Sequence, residues 1–198
     1  MAQAISSDLK PSAALGSWEL QILHWVNGMP GCGKTTHIVR HFDEETEIVA
    51  TTTIEAEEDL RENLANRFGG RTRKRVRTMA SILINGFVRA SRIMVDEALM
   101  FHFRAIMMAA RLSCAEVVTL IGDINQLSYI DKNNQFELRY CRPSLTANIT
   151  HKLSCPHRSP MDVAYAITGV YDNFYFSNPI DHSLKMEKFY QIVQELYT

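Results

Sequence analysis

A glycine-rich segment that ends in lysine and threonine carries the clearest chemical signal in the chain. Residues 28 to 35 read Gly-Met-Pro-Gly-Cys-Gly-Lys-Thr and match the pattern Gly-x-x-x-x-Gly-Lys-Ser/Thr. Glycines adopt backbone angles closed to other residues, so successive amide N–H groups can turn inward around a phosphate. Lys34 would then reach the β- and γ-phosphates of a nucleoside triphosphate, and Thr35 would ligate Mg²⁺.

The surroundings of this segment favour phosphate binding over an ordinary turn. It directly follows an apolar strand and opens a helix, whose N-terminus adds a dipole that favours an anion. We therefore predict ATP or another NTP, with Mg²⁺, as ligands; the alternative is a glycine-rich turn that contains Lys-Thr by chance. The candidate cofactor-binding residues are Gly28, Pro30, Gly31, Cys32, Gly33, Lys34, Thr35 and Thr36.

Two adjacent acids follow a later apolar run, Arg92 to Val95. Asp96 would hold Mg²⁺ through its water shell, and Glu97 would polarise the attacking water during hydrolysis. Two neighbouring acids after a strand also occur by chance. The separation of about sixty residues from Lys34 leaves room for helices and a strand, so we expect the two strands to lie side by side in one sheet.

A third polar turn, Gly122-Asp123-Ile124-Asn125-Gln126, follows another apolar run. Gln126 is uncharged and both donates and accepts, so it could bond the γ-phosphate and the water together. The alternative is a plain turn, since glycine, aspartate and asparagine favour turns.

Alternating apolar and amphipathic stretches position these groups and indicate an α/β fold. Gly69-Gly70 would end the second helix. The predicted strands are Ile22–Asn27, Glu47–Thr52, Arg92–Val95 and Val117–Ile121. The predicted helices begin at Lys34, Met161 and Leu184 or span Glu55–Arg67, Met79–Phe87 and Leu99–Arg111. Each polar group thus follows the carboxyl end of a strand, where α/β sheets place their chemistry.

Taken in order, these segments resemble the superfamily 1 RNA helicases of positive-strand RNA viruses, the alphavirus-like and tobamovirus-like group. The resemblance covers residues 23 to 170 and rests on five motifs, I, Ia, II, III and IV. They are Gly28–Thr36, Thr51-Thr52-Thr53, Val95-Asp96-Glu97-Ala98, Gly122-Asp123-x-x-Gln126 and His157-Arg158-Ser159-Pro160-x-Asp162-Val163.

The resemblance implies a RecA-like P-loop NTPase, with a mostly parallel sheet flanked by helices. It also implies NTP hydrolysis with Mg²⁺ and single-stranded RNA as the track. Arg158 would reach the phosphates from the start of a second motor domain. Thr51 and Thr52 would touch the RNA backbone, although by themselves they are ordinary β-branched strand residues.

The resemblance also divides the chain. We expect a flexible tail over residues 1–20, the NTPase domain over residues 21–152 and an incomplete second helicase domain over residues 153–198. The family's motifs V and VI would lie beyond residue 198, so we expect nucleotide binding and slow hydrolysis without strand separation. Unwinding of an RNA duplex by the 198-residue chain would contradict this expectation.

Clustered cations offer a second route to RNA. Arg73, Lys74 and Arg75 lie among six basic residues between positions 67 and 77 and could grip the phosphates of single-stranded RNA. The equal alternative is a solvated loop that balances the acidic segment from Glu55 to Glu62.

Composition sets the remaining bounds. A net charge of −1 gives the chain as a whole no strong attraction to a polyanion, and 46% hydrophobic residues suit a globular core. No secretory signal or membrane span is apparent, so we expect a cytoplasmic protein with reduced cysteines. The spacing of Cys141, His151, Cys155 and His157 fits no common zinc finger and favours loop and core positions.

Other classes of function stay open. The aromatic run from Tyr171 to Phe176 could stack on bases, but a core patch without its covering domain is favoured, and such a patch would promote self-association or binding of a companion chain. A non-catalytic nucleotide- and RNA-binding remnant is the main alternative to an NTPase. A small-molecule kinase or GTPase is weakened, because the chain contains no Asn-Lys-x-Asp motif.

Overall fold

The described residues fold around one parallel sheet. The computed structural model describes residues 22–126, 129–130 and 147–171. The strands are β1 (Ile22–Gly28), β2 (Glu47–Thr51), β3 (Val76–Thr78), β4 (Arg92–Val95), β5 (Val117–Gly122) and β6 (Ile149–Leu153). The helices are α1 (Lys34–His41), α2 (Ile54–Phe68), α3 (Met79–Asn85), α4 (Phe103–Leu112) and α5 (Met161–Ala166). The strand order is β3-β2-β4-β5-β1-β6, and every neighbouring pair is parallel.

Two apolar layers cover the two faces of the sheet. Alternate strand residues point to opposite faces. On one face Ile48, Ile93 and Leu120 pack with residues of α3 and α4. On the other face Val49 and Met94 pack with residues of α1 and α2. Burial on both faces explains why the central strands read as continuous apolar runs, and it confirms the predicted α/β class with a parallel sheet flanked by helices.

Side-chain caps fix where the helices begin. The Thr53 hydroxyl accepts from the Ala56 amide at 3.2 Å and starts α2, and the Thr78 hydroxyl accepts from the Ser81 amide at 3.2 Å and starts α3. Gly69, with φ of 81°, follows the last residue of α2, as the Gly-Gly pair predicted. The starts of α2 and α3 are therefore anchored within a few residues of β2 and β3.

The strand order corrects one expectation. The strand that precedes Lys34 and the strand that precedes Asp96 are not neighbours, because β5 lies between β1 and β4. The sequence separation left room for this insertion but did not specify it. As a consequence, the turn that carries Gln126 lies between the glycine-rich segment and the acidic pair.

Several boundaries also differ from those predicted. The helix expected over Leu99–Arg111 begins only at Phe103, after a 3-10 turn over Ala98–Met100. The reason is His102, which has extended backbone angles and accepts from the Arg104 amide through Nδ1 at 3.1 Å. The helix expected to reach Phe87 ends at Asn85, where Gly86 takes φ of 70°.

Two strands, β3 and β6, were not predicted. β3 has three residues, too few for a periodic signal, and β6 is mostly exposed. β6 crosses the predicted domain boundary between residues 152 and 153 and pairs with β1, while the boundary itself stays a prediction. The expected tail over residues 1–20, the helix from Leu184 and most of the aromatic run lie outside the described residues. No helix in the described ranges is long and apolar enough to cross a membrane.

One buried carboxylate ties α2 to the edge strand. Glu57 Oε2 accepts from the Thr78 amide at 2.6 Å, and Glu57 pairs with Arg61, which donates to the Val76 carbonyl at 3.0 Å. Glu57→Ala would leave the partly buried Thr78 amide without its acceptor and would remove the ion pair with Arg61. We expect the free energy of unfolding to fall by about 2 to 3 kcal/mol in urea titration. The exposed neighbour Glu58, changed to Ala, is the control, and an equal loss in both variants would contradict this role.

Candidate functional site

Lys34 lies near the carboxyl ends of β1 and β4. Its Nζ donates to the Gly28 carbonyl at 3.2 Å and stands 3.5 Å from Glu97 Oε1. The lysine side chain is only 10% exposed. The ammonium therefore connects the turn after β1 with the turn after β4, although β5 separates the two strands.

The acidic pair occupies a strained turn. The Asp96 amide continues the sheet by donating to the Ala50 carbonyl at 2.9 Å, and Asp96 Oδ1 accepts from the Glu97 amide at 3.1 Å. Glu97 has φ of 49° and ψ of 49°, a left-handed conformation that is uncommon for a residue with a side chain. This backbone directs the Glu97 carboxylate toward Lys34. Strain of this kind is concentrated at functional sites.

The surroundings of Asp96 disfavour the ionised form of its carboxyl group. Desolvation by burial, reinforced by the neighbouring Glu97 carboxylate, raises the pKa of Asp96 from 3.8 to about 6, although Lys34 acts in the opposite direction. A carboxyl group with such a pKa gains from an added cation, because the cation replaces lost solvation.

The turn after β5 is held against both neighbouring segments. The Ile124 amide donates to Asn27 Oδ1 at 3.0 Å, and a Cβ on Gly122 would lie 3.4 Å from the Ala98 amide nitrogen. Asp123 is fully buried, and its carbonyl accepts from the Gln126 amide at 3.0 Å. Gln126 therefore lies in a turn fixed from two sides. The sequence pointed to Gln126 but not to the anchoring role of Asn27, whose only signal is its position at the end of a strand.

The segment after β6 closes on the glycine-rich turn. The His157 amide donates to the Gly31 carbonyl at 2.8 Å. Gly31 has φ of 77°, and a Cβ on it would lie 2.9 Å from Arg158 Cβ. Only glycine accommodates both the backbone angle and this approach. The resemblance placed His157 in the fifth motif, and the zinc alternative was set aside in favour of a loop or core position, but its backbone contact with Gly31 has no signal in the sequence.

These segments surround one open cleft of about 420 Å³. It is lined by Pro30, Gly31, Gly33, Lys34, Thr35, Thr36, Glu97, Gln126, His157 and Arg158. Three of the predicted residues lie behind this surface. Gly28 and Cys32 are buried beneath the turn, where burial raises the pKa of the Cys32 thiol, and Asp96 lies at the base of the acidic turn. The structure thus brings Lys34, Glu97, Gln126 and Arg158 to one hollow.

The residues suggested for RNA contact do not share one surface. Thr51 is fully buried, and its hydroxyl donates to the Thr53 carbonyl at 3.3 Å, so it does not reach the exterior. Thr52 is partly exposed beyond the carboxyl end of β2. Only this threonine of the pair is placed to meet a ligand.

The basic segment lies at the amino ends of the strands, whereas Thr52 lies at the carboxyl end of β2. Arg73, Lys74 and Arg75 belong to a 3-10 turn that precedes β3, at its amino end. Arg75 donates to the Glu45 carbonyl at 2.7 Å, at the amino end of the neighbouring β2. Since β2 and β3 are parallel, the length of a strand separates this segment from Thr52. Arg73 and Lys74 are exposed there, and the RNA contact and the solvated loop both stay predictions.

The described histidines and cysteines considered for zinc lie on or after β6, near α1. The His151 ring stacks on His37 with centroids 5.5 Å apart, and Cys155 and His157 line a cavity beside α1. Cys141 lies outside the described residues. Among residues 22–126, 129–130 and 147–171, no group of three His, Cys, Asp or Glu side chains could hold a metal ion.

Comparison with known proteins identifies the architecture around this cleft. Residues 24–189 match the family model of the viral superfamily 1 RNA helicase core domain. The chain belongs to this family. The match includes all five motifs and excludes the kinase and GTPase alternatives.

Curated relatives of this viral helicase domain are replication proteins of plant viruses. The replicase large subunit of Potato mop-top virus is 37% identical over 81% of this chain, and replication protein alpha-A of Barley stripe mosaic virus is 32% identical over 80%. Replication protein 1a of Broad bean mottle virus is 29% identical over 85%. This helicase domain spans 9%, 15% and 18% of those three proteins, respectively.

Solved structures support the same fold. The PRRSV helicase superposes with a TM-score of 0.58 at 20% identity, covering 79% of this chain and 35% of that one. Arterivirus nonstructural protein 10, a helicase solved in complex with DNA, gives a TM-score of 0.58 at 20% identity, covering 82% and 42%. At this identity the likeness establishes the RecA-like fold alone.

The raised pKa of Asp96 predicts a pH-dependent stability. Because the folded protein binds this proton more tightly than the unfolded chain, the stabilisation is complete below about pH 4 and is lost as pH rises through about 6. In metal-free buffer at pH 7.5, Asp96→Asn should therefore be more stable than the parent by about 1 to 3 kcal/mol.

The gain should shrink toward pH 4 in urea titrations at both pH values. Asp59→Asn, at an exposed position of α2, is the control and should change stability by less than about 0.5 kcal/mol. A gain for Asp96→Asn that is equal at both pH values would rule out titration as its cause.

Proposed function

We propose that this viral helicase domain binds a nucleoside triphosphate with Mg²⁺ in the cleft beside Lys34 and hydrolyses it. The observation that carries the proposal is the convergence of Lys34, Glu97, Gln126 and Arg158 on one hollow, from four separate segments of the chain. Membership of the helicase family supports the same activity.

The cleft suits a triphosphate in size, charge and backbone. Its volume of about 420 Å³ falls within the range of small-molecule sites. Lys34 and Arg158 both line the cleft and supply positive charge. Gly31 and Gly33, with φ of 77° and 85°, give the loop the left-handed angles that turn successive amides inward. Pro30, Thr35 and Thr36 complete the rim.

Lys34 would exchange partners when substrate enters. Its Nζ donates to the neutral Gly28 carbonyl and pairs with Glu97. A polyphosphate is a stronger partner than the Gly28 carbonyl, because a charge-assisted hydrogen bond is roughly twice as strong as a neutral one. Movement of Lys34 toward phosphate would leave Glu97 available to polarise water, with Gln126 orienting that water.

Thr35 and Asp96 are the residues that would hold Mg²⁺. The Thr35 side chain is exposed at the start of α1, and the carboxyl group of Asp96 is poorly solvated and gains from a cation. When bound with substrate, Mg²⁺ neutralises phosphate charge. Arg158 would add a second cation to the phosphates from the segment after β6.

We extend the proposal to single-stranded RNA as the partner. Thr52 is its contact candidate, since it lies at the edge of the sheet that also holds the nucleotide cleft. Strand separation is not part of the proposal. A cytoplasmic location, self-association and a companion chain stay predictions.

Paired substitutions separate binding from turnover. Lys34→Ala removes the cation under the phosphates and should abolish binding of a fluorescent ATP analogue. Glu97→Gln keeps the shape of the side chain but loses its basicity, so it should retain binding while phosphate release falls by about 10²- to 10⁴-fold. Equal nucleotide affinity in the two variants would refute the assignment of the cleft.

Lys74→Ala is the control for loss of a lysine. Because Lys74 lies before the amino end of β3, away from the cleft, this variant should bind nucleotide like the parent. Phosphate release is measured with Mg²⁺, with EDTA, and with and without single-stranded RNA. Binding by the parent without Mg²⁺-dependent release would leave the non-catalytic alternative as the function.

A glycine pair tests the contact between Gly31 and the Arg158 segment. Gly31→Ala and Gly69→Ala both place a side chain at positive φ, which costs about 1 to 2 kcal/mol in stability. Only the alanine at position 31 also meets a neighbour, since no atom lies within 4 Å of a Cβ on Gly69. We expect Gly31→Ala to weaken nucleotide binding at least about tenfold and Gly69→Ala to leave it unchanged.

Fluorescence titration at a temperature where both variants are folded makes this comparison. Loss of nucleotide binding in both variants would attribute the effect to general destabilisation and contradict a local role for the contact.

A further inference from the structure

The turn that carries Gln126 is built around one buried carboxylate. Asp123 is fully buried, and a buried carboxylate destabilises a fold unless donors surround it. Its Oδ1 accepts from the Asn125 amide at 3.0 Å, and its carbonyl accepts from the Gln126 amide at 3.0 Å. Its Oδ2 accepts from the hydroxyl of Tyr171 at 2.5 Å. A donor that lies 48 residues later in the chain thus takes part in holding the turn.

The end of the segment after β6 meets this turn at two points. Besides the Tyr171 hydroxyl, the Val170 carbonyl accepts from Asn125 Nδ2 at 3.1 Å. The Tyr171 ring is half-buried and lines a cavity of about 210 Å³, so open space lies beside it. A hydrogen bond to a carboxylate is roughly twice as strong as one between neutral groups. The hydroxyl therefore constrains this contact more than the packing of the ring does.

The start of the same segment has a separate anchor. The His157 amide donates to the Gly31 carbonyl at 2.8 Å, which attaches Arg158 to the glycine-rich turn. Loss of the Tyr171 hydroxyl would thus loosen the turn that carries Gln126 and leave Arg158 attached. The two ends of the segment can be perturbed independently.

We propose that Tyr171 is a positioning residue for nucleotide hydrolysis, which acts through Asp123 on Gln126. The inference rests on the proposed function, since it requires a nucleotide in the cleft. Tyr171 is not among the described residues that line the cleft, so its effect on substrate is indirect. Gln126 orients water only while its turn is held in place, and a misplacement of about 1 Å in such a support can cost about 10²-fold in rate.

Amide exchange in the nucleotide-free full chain tests the attachment without any turnover. Tyr171→Phe keeps the ring and removes the hydroxyl, so the Asn125 and Gln126 amides should exchange with solvent at least about tenfold faster in NMR measurements. The capping amides of Ala56 and Ser81, in α2 and α3, should exchange as in the parent. Unchanged exchange in the turn, or an equal rise at all four amides, would overturn the proposal.

Steady-state phosphate release tests the consequence for hydrolysis. Tyr171→Phe should lower kcat by about 5- to 100-fold and leave KM within about twofold of the parent, because the phosphate contacts remain. Added to Gln126→Ala, the same change should lower kcat no further, since it acts through a residue already lost. Tyr165→Phe removes a hydroxyl from a side chain that is 80% exposed on α5 and should behave like the parent in both measurements.

A higher KM with unchanged kcat, or a full further loss of kcat in the Gln126→Ala background, would contradict the role of Tyr171. Failure of the proposed function has a different signature. A parent that releases no phosphate with Mg²⁺ would refute hydrolysis and with it any part of Tyr171 in it. Unchanged amide exchange in a parent that does release phosphate would refute only the positioning role.

Discussion

The ammonium of Lys34 is the constraint on which the site depends. It lies between the Gly28 carbonyl and the Glu97 carboxylate and thereby connects the ends of β1 and β4 across the end of β5. In a parallel sheet the carboxyl ends of all strands meet at one edge, so a single side chain can span turns that are distant in sequence. The apolar layers on both faces hold the strands in register, and this register sets the distance between the lysine and the acid.

The local elements could be predicted from the sequence, because each has a local cause. The apolar run before Gly28 is a strand buried on both faces, and the glycine pattern after it permits one kind of turn. The stripe of Leu60 and Leu64 gave α2 its buried face, and Gly69 gave it its end. The polar groups Asp96 and Gln126 were placed correctly at strand ends, since that placement needs only the end of an apolar run.

The features that the sequence did not predict depend on pairing between distant segments. Strand order is fixed by crossovers, so nothing near Lys34 or Asp96 indicates that β5 lies between their strands. β6 is mostly exposed and lacks an apolar run, because it lies at the edge of the sheet. The burial of Thr51 cannot be recognised from its sequence position. The sequence also does not indicate that Arg75 lies at the amino ends of β2 and β3, away from Thr52.

The strain and charge of the acidic turn explain why it needs support from neighbouring segments. A left-handed Glu97 and a poorly solvated Asp96 are both unfavourable by themselves, so neighbouring contacts must hold them in place. Those contacts are the close approach of Gly122 to the Ala98 amide and the hydrogen bond from the Tyr129 amide to the Leu99 carbonyl. The same contacts join the segment that carries Glu97 to the segment that carries Gln126, so the acidic turn is held by the chain that follows β5 and not by its own residues alone.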